Sequence, residues 1–280
     1  MFATGSENLG PHQWRLLARR IEELTADSDV DGVVVTHGTD TIEEAAFFLE
    51  LVCKSGKSVV LTGAMRPSTA LSADGPANLF QAVLAATSPQ LKSHGLLVVM
   101  NGLVIPGWQI IKTDSVALDS FHAYPGGPIG KIVGESLLVF GSPNLSPLVG
   151  RFHDHLRNDD ELPFVDIVLL RGGCGDQSLA DFGGNSCKGL VVAGFGGGTM
   201  PDNLNGIVAE TANSGCTVVV SSRVSRVTVL AETMTSVKSK KVFPSGLLNP
   251  QKSALLLSLA LDANLDALEI SELFNVFVIQ

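Results

Sequence analysis

The sequence predicts an α/β protein, with a larger N-terminal parallel-sheet domain and a smaller C-terminal α/β domain. Three observations carry that prediction. Short β-branched apolar runs at 33–35, 58–62, 165–170 and 216–221 read as strands buried on both faces of a parallel sheet. Between them lie stretches with apolar residues at helical spacing, the strand–helix–strand alternation of right-handed crossovers. The periodicity fades over 139–163, a stretch with Pro143, Pro147, Gly150 and a charged run at 151–161, and then resumes. The expected organisation is a domain over 1–140, a linker over 141–163 and a second domain over 164–280.

The elements follow in order. Gly5-Ser6-Glu7-Asn8 is, by composition, a polar loop. Pro11 suits a first helical turn, and Trp14, Leu17, Ala18, Ile21 and Leu24 form one apolar face to about Ala26. The strand at 33–35 runs into Thr36-His37-Gly38-Thr39-Asp40-Thr41. Ile42, Ala45, Ala46, Leu49, Val52 and Cys53 then recur at helical spacing. A polar cluster therefore sits between the carboxyl end of a parallel strand and the amino end of a helix. Open α/β sheets place ligands there, and the free N–H groups of the helix start favour an anion. On residues alone Thr39 and Asp40 read either as a helix cap or as a hydroxyl nucleophile with part of its activating machinery. His37 is assigned a structural or positioning role, since no spacing pairs it with a nucleophile.

A strand at 58–62 leads to a turn-rich loop over 63–75, which Arg66 and Asp74 are expected to brace by pairing. A helix over 76–86 and a strand at 96–100 complete the alternation. Lys112 follows Ile110 and Ile111 and, by itself, reads as a strand-end lysine facing water. His122 is read as a loop histidine. His153 and His155 lack a third ligand for a metal. The second half is read as strands at 165–170, 189–194 and 216–221, helices near 202–214 and 251–262, and an apolar tail over 273–279 that docks on the body. The glycines at 196–198 are no dinucleotide fingerprint, because Thr199 stands where the last glycine belongs, and are expected to permit close backbone approach.

Composition excludes several functions. A net charge of −9 without a basic run argues against nucleic acid or an anionic membrane as partner. No apolar run is long enough to span a bilayer. The first residues resemble neither a signal nor a transit peptide, so a cytoplasmic protein is expected from the sequence as written. The four cysteines show no metal-ligand spacing; Cys53 and Cys216 are expected as buried thiols and Cys174 as a free one. Neither a metal nor a cofactor is expected.

His37-Gly38-Thr39-Asp40-Thr41, followed by Leu61-Thr62-Gly63-Ala64-Met65-Arg66-Pro67-Ser68 and Ser72-Ala73-Asp74-Gly75-Pro76-Ala77-Asn78-Leu79, resembles the bacterial-type L-asparaginase family, which includes the glutaminase-asparaginases. The similarity continues through 97–101, Lys112-Thr113, 127–130, 221–224 and 248–252, nearly the whole chain. The resemblance implies hydrolysis of L-asparagine to L-aspartate and ammonia through a threonine nucleophile. It also implies no cofactor, and a homotetramer with sites between subunits. Carried over residue by residue, Lys112 falls on the catalytic lysine and forms a Thr-Lys-Asp set with Thr39 and Asp40. Ser6 and Glu7 fall on the loop that binds the α-amino and α-carboxylate groups of the small amino-acid amide, beside Thr39 and Asp40.

The sequence departs from the family at two places. Members open with a strand and a Gly-Gly-Thr motif carrying a first catalytic threonine. By typical element lengths this chain starts roughly fifty residues later. A missing strand beside the sheet, leaving an open edge or apolar gap, is therefore expected. In the smaller domain the family's acidic residue and asparagine have only loose counterparts, Glu232 or Met234 and Gly197 or Thr199. Two alternative functions follow: a truncated, catalytically impaired member acting as a binding or interaction protein, and the asparaginase-like subunit of an amidotransferase.

Overall fold

The structure is a computed structural model describing residues 1–92, 94–142, 146–157, 159–174, 187–234, 237 and 239–278. It is a mixed α/β protein of two compact units, Met1–Glu161 and Leu162–Gln280.

In the first unit β1 (Gly32–Thr36), β2 (Ser58–Thr62) and β3 (Leu96–Met100) lie side by side and parallel. The sheet continues antiparallel through β4 (Leu103–Pro106). The hairpin of β5 (Ile110–Lys112) and β6 (Phe121–Ala123) forms a separate two-stranded sheet. β7 (Gly130–Val133) and β8 (Ser136–Val139) return to the main sheet and complete the order β1-β2-β3-β4-β7-β8. β2 and β3 are buried at every residue, as strands covered on both faces must be. β1 and β2 pair from Gly32↔Ser58 to Thr36↔Thr62, so their carboxyl ends finish level.

Helices cover both faces. α1 (Pro11–Ala26) starts on its proline, and Gln13 Oε1 accepts from Gly10 N at 3.1 Å. α2 (Ile42–Val52) is buried almost all round, and its Phe48 ring meets Trp14 of α1 at 5.9 Å. α3 (Gly75–Ala86) lays Ala82, Ala85 and Ala86 against Val60, Leu97 and Val99. Small residues along that contact let helix and sheet approach closely.

Three readings change in this unit. His122 lies in β6, paired with Ile111, and not in a loop. Asp74 braces its loop through backbone rather than through Arg66: its carboxylate accepts from Met65 N and Arg66 N, both at 2.9 Å, and the Arg66 guanidinium donates to Ser72 O at 3.0 Å. The antiparallel arm of β4, β7 and β8 is absent from the sequence reading. The described residues of the stretch expected as a linker pack on α1 and α2 as far as Glu161. Leu148, Phe152 and Leu156 are buried, Gly150 N donates to Glu50 O and Phe152 N to Leu51 O, each at 2.9 Å, and Arg19 pairs with Asp159 at 2.8 Å. His153 stands in a 3-10 turn, its Nδ1 3.0 Å from Glu22 Oε1.

The second unit holds β9 (Val165–Leu169), β10 (Gly189–Gly194), β11 (Thr217–Ser222) and β12 (Val242–Pro244), all parallel, in the order β12-β11-β10-β9. α4 (Asp202–Asn213) sets Leu204, Val208 and Ala212 against Leu190, Val192, Val218 and Val220. α5 (Pro250–Asp262) takes the opposite face, with Leu257 and Leu261 against Gly189. α6 (Ala267–Asn275) begins with a capping box on Asp266. The apolar tail docks as expected up to Val278: Leu273, Phe274 and Phe277 are buried, and Leu247 N donates to Phe277 O at 3.0 Å. Ile279 lies outside the described residues. Cys216 is buried but is not a free thiol, since it forms a disulfide with Cys187.

Candidate active site

The candidate site is built where β1 ends and α2 begins. The chain leaves β1 at Thr36 and reaches α2 at Ile42 through the five residues His37 to Thr41. His37 N donates to Thr62 O at 2.8 Å, which prolongs the β1–β2 ladder by one residue. The His37 ring is buried, with Nδ1 2.8 Å from Gly38 O. Burial pushes its pKa below the ordinary imidazole value, against a smaller upward pull from the Gly38 carbonyl. His37 is thus held neutral inside the fold, which supports a structural part.

The loop 5–8 closes over this turn. Ser6 is buried, its Oγ accepts from Asp40 N at 3.2 Å, and its carbonyl accepts from Thr41 Oγ1 at 2.9 Å. Gly38 permits that approach, because a Cβ there would fall 2.6 Å from Ser6 Oγ. Gly63, at the end of β2, does the same on the other side: a Cβ would come 2.5 Å from His37 O.

Lys112 arrives from β5, 73 residues beyond Thr39 in the chain. Its Nζ donates to Thr39 Oγ1 at 3.1 Å and to Asp40 Oδ1 at 2.8 Å. The Lys112 side chain is 18% exposed and that of Asp40 64%, so the ion pair opens to water on the carboxylate side. Lys112 is therefore not a strand-end lysine facing solvent. Its backbone N–H donates to Glu43 Oε2 at 2.7 Å. Sequence reasoning missed Glu43, since an acidic residue in a first helical turn reads as a dipole partner and nothing more.

Thr39, Asp40, Lys112 and Ser6 are thus brought together by the fold. Glu7 lies in the same loop, but its exposed carboxylate is turned on the loop itself, accepting from Asn8 Nδ2 at 3.2 Å. The loop 63–75 is fastened behind the site. Asn78 Nδ2 donates to Gly63 O and to Asp74 Oδ2, both at 3.0 Å, and Asn101 N donates to Asn78 Oδ1 at 3.0 Å. Partial burial raises the Asp74 pKa. The hydrogen bonds from Met65, Arg66, its own N–H and Asn78 outweigh that effect and hold the carboxyl below its ordinary range. In the second unit Thr233 Oγ1 donates to Gly197 O at 2.6 Å, which brings the two stretches holding Glu232 and Gly197 together.

A hydroxyl, an amine and a carboxylate in hydrogen-bonded sequence at a helix start can activate a nucleophile toward a carbonyl carbon. Among the described residues no group of three or more His, Cys, Asp or Glu could hold a metal, and no helix is long and apolar enough to cross a membrane.

The chain is similar to known proteins over nearly its whole length. Residues 1–145 match the profile of the asparaginase N-terminal domain, and residues 164–274 that of the glutaminase/asparaginase C-terminal domain. The chain is 38% identical over 273 residues to L-asparaginase 2 of Bacillus subtilis, covering 98% of this chain and 72% of that protein. To L-asparaginase 2 of Escherichia coli it is 37% identical over 276 residues, covering 98% and 78%. A glutaminase-asparaginase of Acinetobacter glutaminasificans is 36% identical over 271 residues, covering 96% and 82%. A crystal structure of a probable cytoplasmic L-asparaginase from Campylobacter jejuni superposes with a TM-score of 0.84 at 36% identity, covering 97% of this chain and 83% of that one.

Proposed function

From the premise that this chain belongs to the asparaginase family, we propose that it hydrolyses L-asparagine to L-aspartate and ammonia with Thr39 as nucleophile. The observation that carries this reading is Lys112 Nζ lying 3.1 Å from Thr39 Oγ1 and 2.8 Å from Asp40 Oδ1. In the reaction the Lys112 ammonium that pairs with Asp40 first gives up a proton to solvent; Thr39 Oγ1 then attacks the side-chain amide carbon and its proton passes to the Lys112 amine. Asp40 pairs with the ammonium that results. The backbone at the start of α2 holds the developing oxyanion. Lys112 returns the proton to the amide nitrogen as its bond to carbon breaks, releasing ammonia and leaving an ester on Thr39. Water attacks that ester, aspartate leaves and the Thr39 hydroxyl is restored. Ser6 and Glu7 bind the α-carboxylate and α-ammonium of the substrate, which requires Glu7 to turn from Asn8 when substrate enters.

The assembly we propose is a homotetramer. In its support, β9 is an edge strand of its sheet and leaves Ile167 and Leu169 exposed beside Phe164, an apolar surface that association would cover. Light scattering that gave the mass of a single chain would exclude it. For the chemistry, the test is trapping with hydroxylamine. An acyl-enzyme yields β-aspartyl hydroxamate from L-asparagine in competition with aspartate. Free ammonia without any hydroxamate would contradict the covalent route.

A further inference from the structure

Glu43 has a place in the site that no expectation gave it. It is buried, with the residue 6% exposed, in the first turn of α2, three residues after Asp40. It reaches across to β5 and accepts from the backbone N–H of Lys112 at 2.7 Å. The geometry of the hairpin explains why that N–H is available. Backbone N–H groups alternate in direction along an antiparallel strand. Thr113 N points into the hairpin and donates to Ser120 O at 2.8 Å, so Lys112 N, one residue earlier, points away from β6. The hairpin belongs to a sheet of its own, and two strands alone are marginally stable in water. Lys112 is thus carried on an element that needs outside fastening, whereas Thr39 and Asp40 are built onto the start of α2.

We propose that Glu43 is a positioning residue: its carboxylate fastens the Lys112 backbone to the first turn of α2 and so holds Nζ within reach of Thr39 and Asp40. The inference rests on the activity proposed above, but the contact can be tested apart from it. In this proposal Glu43 acts through Lys112 and is not itself a reacting group. A strut of this kind affects the chemical step more than substrate binding, because the loop 5–8 and the backbone at Gly38 do not depend on it.

The test compares Glu43→Ala with Glu43→Gln in the full chain. The glutamine amide oxygen can still accept from Lys112 N, and alanine cannot. Loss of the hydrogen bond from Lys112 N to this charged acceptor supports a fall of about tenfold to a hundredfold in kcat for ammonia release by Glu43→Ala, with KM within about threefold. Glu43→Gln should recover to within about fivefold of the parent. A folded Glu43→Ala protein within about twofold of parent kcat, or a Glu43→Gln protein as slow as Glu43→Ala, overturns the proposal. Amide hydrogen exchange provides a readout that needs no turnover. In Glu43→Ala the Lys112 amide should exchange about tenfold to a hundredfold faster while Thr113 stays protected. Unchanged exchange at Lys112, or equal acceleration at both, overturns the proposed strut. A parent chain that releases no ammonia would instead retire the activity, and the exchange data would then decide alone whether Glu43 fastens Lys112.

Discussion

Thr39 and Lys112 make the account depend on one distance, 3.1 Å between Oγ1 and Nζ. Replacing Lys112 by Met keeps the length of the side chain and removes the amine. The loss of a positioned proton acceptor predicts a fall of about 10²–10⁴-fold in kcat, read in a coupled ammonia assay. At His37 the prediction concerns stability. Its folded pKa lies below the ordinary value of about 6.5, so the unfolded chain takes up the proton first. Its contribution is complete above that value and is lost as pH falls through the lower, folded value. Urea unfolding across this window should show the parent losing stability toward acid, and His37→Gln should lack that part of the slope. The residue scale is also where the sequence was least even. Thr39 and Asp40 stand together at a strand end and are legible from their neighbours. Lys112 is separated from them by most of a domain, and only family resemblance pointed to it. Glu43 gave no signal, because its partner is a backbone N–H brought near by the fold.

At the scale of elements, α2 and the loop 63–75 position the site from opposite sides. α2 is clamped to α1 through Trp14 and Phe48, both buried. Phe48→Ala should cost about 3–5 kcal/mol, seen as a lower urea midpoint with an unchanged slope. The loop depends on Asp74, whose hydrogen bonds from Met65, Arg66 and Asn78 keep it ionised. Its folded pKa is depressed, so this contribution is present above the unfolded carboxylate value and is lost as pH falls through the folded one. Asp74→Ala should therefore lower stability by about 1–3 kcal/mol at neutral pH, and the gap between the two proteins should narrow in strong acid. The sequence marked Arg66 and Asp74 as a pair because opposite charges in a turn-rich loop suggest an ion pair. Backbone N–H groups, which no sequence pattern displays, took the carboxylate instead.

Each of the two units is built on a sheet with helices packed against it, mixed in the first unit and parallel in the second, and the first unit adds a two-stranded hairpin. The parallel part was legible because burial on both faces forces continuous apolar strands such as 58–62 and 96–100. The antiparallel arm was not: β8 alternates exposed and half-buried residues over four positions, too short for its period to stand out. β1 lies at the edge of its sheet beside a cavity of about 340 Å³ lined by Trp14, Leu17, Ile21 and Val33. The thiols also differ from expectation, with Cys216 joined to Cys187 at the start of neighbouring strands. Cys53 is the buried thiol that the sequence predicted, and burial raises its pKa far above the ordinary range, with a smaller push from Glu22.

The threonine, lysine and aspartate gathered at the start of α2 are proposed to break an amide bond. Ammonia release from L-asparagine by the purified chain, measured beside Thr39→Ala, tests this most directly. Release by the parent is expected, together with its abolition in a Thr39→Ala protein of unchanged fold. Equal release by both proteins would contradict Thr39 as nucleophile, and no release by a folded parent would contradict the activity itself.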